Sequence, residues 1–393
     1  MAEENKIPFK MDFNKLSGRM LAALVFLALA YNIAVCWRVY RAVPLREGAS
    51  RSLMSANSRF FYDSGLSEPV PVFALKIAMA LGAEPDAAIR AEGLAVFAAV
   101  TVLTVVVLRR RCGITAGLVA ALFLAANPYM GYYAMLGGSH LYALFFLLLF
   151  WYYSEPAELT ARRAALAGLW GGLACLSRLD SAWFILLAAG LSAALNFRNY
   201  NFKAAGLSLC LALTLVAPYL IYQRAQYKNA FYAQELSLRR WADMDRLRNN
   251  QSGPQAAGPL SVPEFLLRDG AGGALRRALG ALGRSLSYEV PKVVYYKLLI
   301  VLVFLGFYAA FILKKDGLLV FSAAAFFPVL ALAPIGEISL TGGIALRYYL
   351  WTLWSFCAIA GLGLQETLVW VEKQIDERLQ AMEAAVKKTE DKR

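Results

Sequence analysis

The residues of this chain whose types could do chemistry lie in short polar stretches between long apolar runs. One stretch holds Arg46, Glu47, Arg51, Arg59, Asp63 and Glu68. A second runs through Asn127-Pro128-Tyr129 and Tyr132-Tyr133 to Gly137-Gly138-Ser139-His140, and a third carries Glu337 and then Arg347-Tyr348. Arg178 and Asp180 stand together in a break of their own. Acids beside arginines suit proton transfer next to an anion. Arginine is the favoured partner for phosphate because it stays charged and bonds in a planar fork. A cleft bounded by these groups, half in lipid and half in water, suits a substrate with an apolar tail and an anionic head.

Each residue has a sharper and a plainer reading. Glu47 is either a general base or a solvated partner of Arg46 or Arg51. Asp63 and Glu68, close to Gly65 and Pro69, are either turn and capping acids or substrate contacts, and Arg51 and Arg59 are candidate substrate contacts beside them. His140, the one histidine, either orients an acceptor, binds a metal, acts as a base or is a plain interfacial residue. At a helix N-terminus its charged form is disfavoured. It has no partner set for a zinc site. Arg347 is either a phosphate contact or a snorkelling interfacial cation. Arg178 and Asp180 either close a helix turn as a local pair or contribute to function. Tyr133 belongs either to an interfacial aromatic belt or to a surface that stacks on sugars, and Glu337 is a second-rank acid.

The elements that must position these groups are membrane helices. Of 393 residues 59% are hydrophobic, and runs of about 20 apolar residues are long enough to cross the hydrocarbon layer. In lipid the backbone must satisfy itself, and the runs lack the alternation of barrel strands, so the fold class is all-α, a polytopic integral membrane protein. The runs predict about ten transmembrane helices, at 20–40, 91–108, 115–130, 139–153, 164–177, 181–196, 203–222, 293–313, 317–335 and 347–368. The first is too long for a cleavable signal peptide and reads as an anchor. The segment 70–83 is too short to span, which leaves residues 41–90 as one outer loop. A second outer loop covers 223–292, with helical pieces at 234–248 and 263–284. This loop either lies on anionic lipid or helps to hold a lipid-phosphate donor. Residues 1–368 form the membrane domain, and 369–393 form a charged amphipathic tail.

Arg109-Arg110-Arg111, Arg162-Arg163, Arg198 with Lys203, Lys314-Lys315 and the basic N-terminus all fall on one side. Lys and Arg resist translocation, so that side is cytoplasmic, both termini are inside, and the candidate residues face outward from a plasma (bacterial inner) membrane. The flanking cations explain much of the net charge of +13, so nucleic acid is not expected as a partner. The five cysteines have no paired spacing and read as buried small residues. No glycine-rich phosphate loop follows a strand, so a nucleotide-sugar site is not expected. A transporter would show paired broken helices and charges inside the spans, and few such charges are present.

Four stretches resemble the polyprenyl-phosphate-sugar glycosyltransferases of the GT-C superfamily, which include protein O-mannosyltransferases and lipid A aminoarabinose transferase. The first is Phe61-Tyr62-Asp63-Ser64-Gly65 with Glu68-Pro69-Val70-Pro71-Val72-Phe73. The second runs from Arg90 through Arg109-Arg110-Arg111, Gly117-Leu118 and Asn127-Pro128-Tyr129 to Phe145-Phe146-Leu147. The third, Ala167-Gly168-Leu169 through Ser177-Arg178-Leu179-Asp180, is similar to a recurring helix hairpin. The last is Arg347-Tyr348-Tyr349-Leu350 leading to Ala360-Gly361-Leu362-Gly363-Leu364. The resemblance implies that an acid of the first outer loop deprotonates an acceptor hydroxyl. The hydroxyl attacks the sugar C1, and polyprenyl phosphate departs with inversion. The implied partners are a polyprenyl-phosphate-linked sugar donor, a glycan, lipid or protein acceptor, and membrane lipids. No cofactor is called for, although Arg or a divalent metal would meet the phosphate charge. Glu47 and His140 are then the catalytic candidates, and Arg51, Arg59, Asp63, Glu68, Tyr133, Arg178, Glu337, Arg347 and Tyr348 line the substrate. The chain departs from the family where an acidic pair is expected, which here is Ser50 and Arg51 with Glu47 about one helical turn earlier. Ser139 and His140 stand where the family often has Asp. The alternative reading is a non-catalytic relative that binds lipid-linked glycans or scaffolds envelope glycan assembly.

Overall fold

A computed structural model of the chain describes residues 13–43, 45–65, 68–155, 158–198, 200–232, 235, 267, 270–335 and 344–390. Glu337 and all of the expected helix 234–248 except Glu235 fall outside these residues, as does most of the beginning of the piece expected at 263–284, of which Gly270–Arg284 is a helix.

All regular elements among the described residues are helical, so the all-α class holds. The helices are α1 (Phe13–Tyr40), α2 (Arg46–Asn57), α3 (Pro69–Ala80), α4 (Pro85–Arg111), α5 (Ile114–Ala126), α6 (Pro128–Met135), α7 (Ser139–Tyr153), α8 (Ala161–Ser177), α9 (Ser181–Leu195), α10 (Phe202–Tyr227), α11 (Gly270–Arg284), α12 (Val290–Val294), α13 (Lys297–Ile312), α14 (Asp316–Leu332) and α15 (Leu350–Glu390). Each of the ten apolar runs is helical, but ten full-length spans are not seen. Among the described residues Gly18–Tyr40, Pro85–Arg111, Phe202–Tyr227 and Leu346–Met382 are long and apolar enough to cross, and the count reaches six if two bent pairs each cross once. α7, α9 and α14 are apolar but only 15, 15 and 17 residues long. Hydropathy finds apolar segments, whereas helix length is set by the Gly, Pro and Asn that end them.

The bent pair α5–α6 shows how such a break is tolerated. Pro128 disfavours helical backbone at Asn127, and the axis turns by 61°. Carbonyls freed from helical bonding would be costly away from water. Here Asn32 Nδ2, from α1, donates to Ala125 O at 2.7 Å and to Asn127 O at 2.9 Å. Tyr296 Oη donates to Ala126 O at 2.8 Å. Asn127 itself caps α6 through Tyr129 N and donates to Val293 O, both at 2.9 Å.

Aromatic packing fills the centre of the bundle. The Phe321 ring lies 4.5 Å from Trp354 and 4.8 Å from both Trp151 and Phe184, which joins α14, α15, α7 and α9. Trp354 Nε1 donates to Thr104 Oγ1 of α4 at 2.8 Å, so its one polar atom is satisfied. Where α13 crosses α15, Gly306 lets the backbones meet. A Cβ there would lie 1.9 Å from Ile359 O, the close approach for which small residues are used between membrane helices.

The basic loops gather at one end of the bundle. Lys315 Nζ donates to Arg111 O at 3.0 Å, Glu158 pairs with both Arg110 and Arg163, and Asn201 Nδ2 donates to Leu159 O at 3.1 Å. The starts of α7 and α9 and the end of α8 lie at the other end. Substituting Asn32→Leu leaves two carbonyls of the break unpaired and is expected to lower stability by about 1–3 kcal/mol. Tyr31→Leu, at an outward-facing neighbour that is 74% exposed, should leave it unchanged. Thermal unfolding of the two variants in detergent measures the difference.

Candidate active site

At the end of the bundle away from the basic loops, four chain segments bring their polar groups together. The local sequence explains each approach. α8 ends at Ser177, the backbone of Arg178 at its C-cap is extended, and α9 starts at Ser181 with Asp180 at its N-cap position. This three-residue break brings the Arg178 guanidinium against Asp180 and the first turn of α7. Gly137 adopts a φ of +65°, where a side chain would be strained and its Cβ would lie 2.2 Å from Ile89 Cγ2. That turn starts α7 with Ser139 and His140.

Arg178 is the hub. Its Nε and Nη2 donate to Asp180 Oδ1 and Oδ2 at 2.9 and 2.6 Å. Its Nη1 donates to Ser139 Oγ at 3.2 Å and faces His140 Nδ1 at 3.3 Å. An arginine has only donors. His140 therefore accepts at Nδ1 and carries its proton on Nε2, which is buried without a partner in the structure. The His140 backbone carbonyl accepts from Trp351 Nε1 at 3.0 Å.

Tyr348 completes one wall. Its ring meets His140 edge-on at 5.3 Å, with the Arg178 and Arg347 guanidiniums 5.7 and 5.3 Å from its centroid. Tyr133 shares a hydrogen bond with the Arg347 backbone. Arg51 donates from Nη2 to Gly137 O at 2.6 Å and so fixes the turn that presents His140. Glu68, partly buried before α3, lies within the electrostatic reach of Arg178, Asp180 and Arg51. Burial holds its carboxyl above the ordinary 4.5, against the opposing pull of the Arg178 guanidinium.

Of the residues singled out in the sequence, Arg51, Glu68, Tyr133, His140, Arg178, Arg347 and Tyr348 share this cluster. Asp63 and Arg59 do not. Asp63 accepts from Arg59 N at 3.0 Å and from Tyr222 Oη at 2.7 Å, so both its oxygens hold the loop to α10, and the Arg59 side chain is exposed. Glu47 sits in α2, but its side chain is outside the described residues, as is Glu337.

The sequence reading missed three polar contributors. Glu92 accepts from Tyr142 Oη at 2.8 Å inside α4, and a carboxylate within an apolar run was the available signal. Trp351 gave no signal beyond its place in an apolar run. Glu289 is 4% exposed, held by Arg284 Nε at 3.1 Å, and ends a π-helical turn whose Ser285 hydroxyl is 2.5 Å from the Tyr349 hydroxyl. Among the described residues no group of three or more His, Cys, Asp or Glu is placed to hold a metal ion.

The arrangement can bind an anion between two guanidiniums and a histidine N–H, beside a carboxyl whose proton affinity is raised. Residues 67–222, which include Glu68, Tyr133, His140 and Arg178, match the family model of dolichyl-phosphate-mannose-protein mannosyltransferases. No curated protein matches the chain in sequence. Among solved structures the chain is similar to the archaeal oligosaccharyltransferase AglB from Archaeoglobus fulgidus in complex with an inhibitory peptide and a dolichol-phosphate. The identity is 16% and the TM-score 0.47, over 92% of this chain and 52% of that one. An Archaeoglobus fulgidus oligosaccharyltransferase tethered to an acceptor peptide by a disulfide gives 15% and 0.47, over 92% and 51%. The chain spans about half the length of either.

Replacing Asp180 with Asn leaves the Arg178 fork without its counter-charge. The expected loss of stability is about 1–3 kcal/mol, measured by thermal unfolding, and Asp180→Glu should recover part of it.

Proposed function

We propose that this chain is a membrane glycosyltransferase of the GT-C superfamily that moves a sugar from a polyprenyl-phosphate donor to an extracytoplasmic acceptor with inversion. One observation carries the reading. Glu68, His140 and Arg178, all within the family match, converge with Arg347 and Tyr348 from a distant segment. Arg178 and Arg347 hold the donor phosphate and stabilise the charge it gains as the sugar leaves. The N–H of His140 at Nε2 donates to the same oxygens or to the sugar. A carboxylate of the first outer loop accepts the proton of the acceptor hydroxyl as that oxygen bonds to the sugar C1 and the C1–phosphate bond breaks. Glu68 is assigned this task because it lies within the electrostatic reach of Arg178 and burial raises its proton affinity, which strengthens it as a base. Tyr133 and Tyr348 give the sugar aromatic faces. The cluster lies on the extracytoplasmic side, and the termini are cytoplasmic.

Purified protein is supplied with polyprenyl-phosphate sugars and an acceptor extract, and transfer is followed by release of polyprenyl phosphate. Glu68→Gln should lower kcat by about a hundred- to ten-thousand-fold and leave donor-induced thermal stabilisation in place. The base works deprotonated. Activity is therefore full above its pKa and falls as pH drops through it, and the acid limb should lie above 4.5. Full activity in Glu68→Gln with its loss in Glu47→Gln assigns the base to Glu47. Donor stabilisation without release in the wild type would favour a glycan-binding protein over an enzyme.

A further inference from the structure

A second polar recess lies at the opposite end of the bundle, among the basic loops. Its empty space is about 540 Å3, open mouth included, between the ends of α4, α7, α9, α10 and α14. Arg111, Glu155 and Tyr200 give it a polar end. Ala189, Ala205 and Ser208, all with small side chains, line it from α9 and α10.

Arg111 is held like a ligand-binding group. Its side chain is 9% exposed, and its guanidinium lies 4.1 Å from the centroid of the Trp151 ring. Nη2 donates to Trp151 O at 2.6 Å, while Glu155 stands 3.8 Å from the same nitrogen, beyond hydrogen-bond length. Nε is buried and has no partner. The nearby Glu158 is shared between Arg110 and Arg163, so it cannot neutralise both. An unfilled donor on a rigid, buried cation, at the mouth of an apolar slot, calls for an acceptor oxygen that carries negative charge.

We propose that this recess binds one anionic phospholipid of the adjoining leaflet, with its phosphate on Arg111 Nε and one acyl chain between α9 and α10. In the segments that flank the lining residues Arg111 and Gly317, the cations Arg109, Arg110, Lys314 and Lys315 outnumber the acids Glu155, Glu158 and Asp316, which favours an anionic over a zwitterionic head. This site is independent of the sugar-transfer reading and lies at the other end of α7, a helix of 15 residues or about 22 Å.

Purified full-length protein is titrated with phosphatidylglycerol, phosphatidylcholine or inorganic phosphate, and bound lipid is counted by native mass spectrometry. The wild type should retain one phosphatidylglycerol in preference to phosphatidylcholine. Ala189→Leu, which fills the slot without touching Arg111, and Arg111→Lys, which keeps the charge but loses the Nε donor, should each weaken it about ten- to a hundred-fold. If the Arg111 variant does not fold, the Ala189 variant decides. Equal retention of the two lipids, or unaltered retention by Ala189→Leu, overturns the proposal. Competition by inorganic phosphate at concentrations matching the lipid overturns the lipid and assigns the recess to a free anion.

Discussion

The candidate site depends on one guanidinium in a place where water is scarce. Arg178 has five donors, and a cation largely withdrawn from water is tolerable only if most of them are used. Asp180 takes two of the bonds in a fork, and Ser139 and His140 take the next. Satisfying one charge therefore fixes the end of α8, the start of α9 and the first turn of α7 relative to each other. The same contacts settle which nitrogen of His140 carries the proton. Position and chemistry are set by a single electrostatic requirement.

The same logic governs the breaks in the helices. A proline in an apolar run removes a donor and exposes carbonyls, so each bend has to be matched by side chains from elsewhere. Asn32 and Tyr296 do this for the bend at Asn127, from helices far away in sequence. The polar residues buried in this bundle fall into two groups. Some complete the backbone, as Asn32, Asn127 and Arg51 do. Others do not: His140 Nε2 is buried without a partner, and Glu68 stands within the electrostatic reach of Arg178 with its proton affinity raised by burial.

Helical class, the positions of the apolar segments and the clustering of the basic loops were readable from hydropathy and charge, because both follow from the cost of moving polar groups into lipid. Helix lengths were less so. Pro128 breaks the expected span 115–130 into α5 and α6, whereas α7 begins at Ser139 as expected, and the two bent pairs leave the count of crossings among the described residues at four to six by length. In the site, Arg178 with Asp180, His140 and Arg347 stood out because charged or ionisable groups at the ends of apolar runs are costly. Asp63 was equally visible but is spent on its own loop and on Tyr222. Trp351 was not discernible, since its contact with His140 spans 211 positions of sequence and follows no local pattern; the turn that ends at Glu289 is likewise tied in through Ser285 and Tyr349, 64 positions apart.

The last helix carries a mechanical consequence. α15 is unbroken over 41 residues, a rod of about 60 Å at 1.5 Å per residue. Near its first turn Trp351 grips the backbone of His140, and further along Gln365 binds Cys112 O at 2.6 Å near the basic loops. No proline interrupts it. A stiff shaft anchored at both ends of the bundle has no joint between its two anchors, so it holds the His140 end and the Cys112 end at one fixed separation.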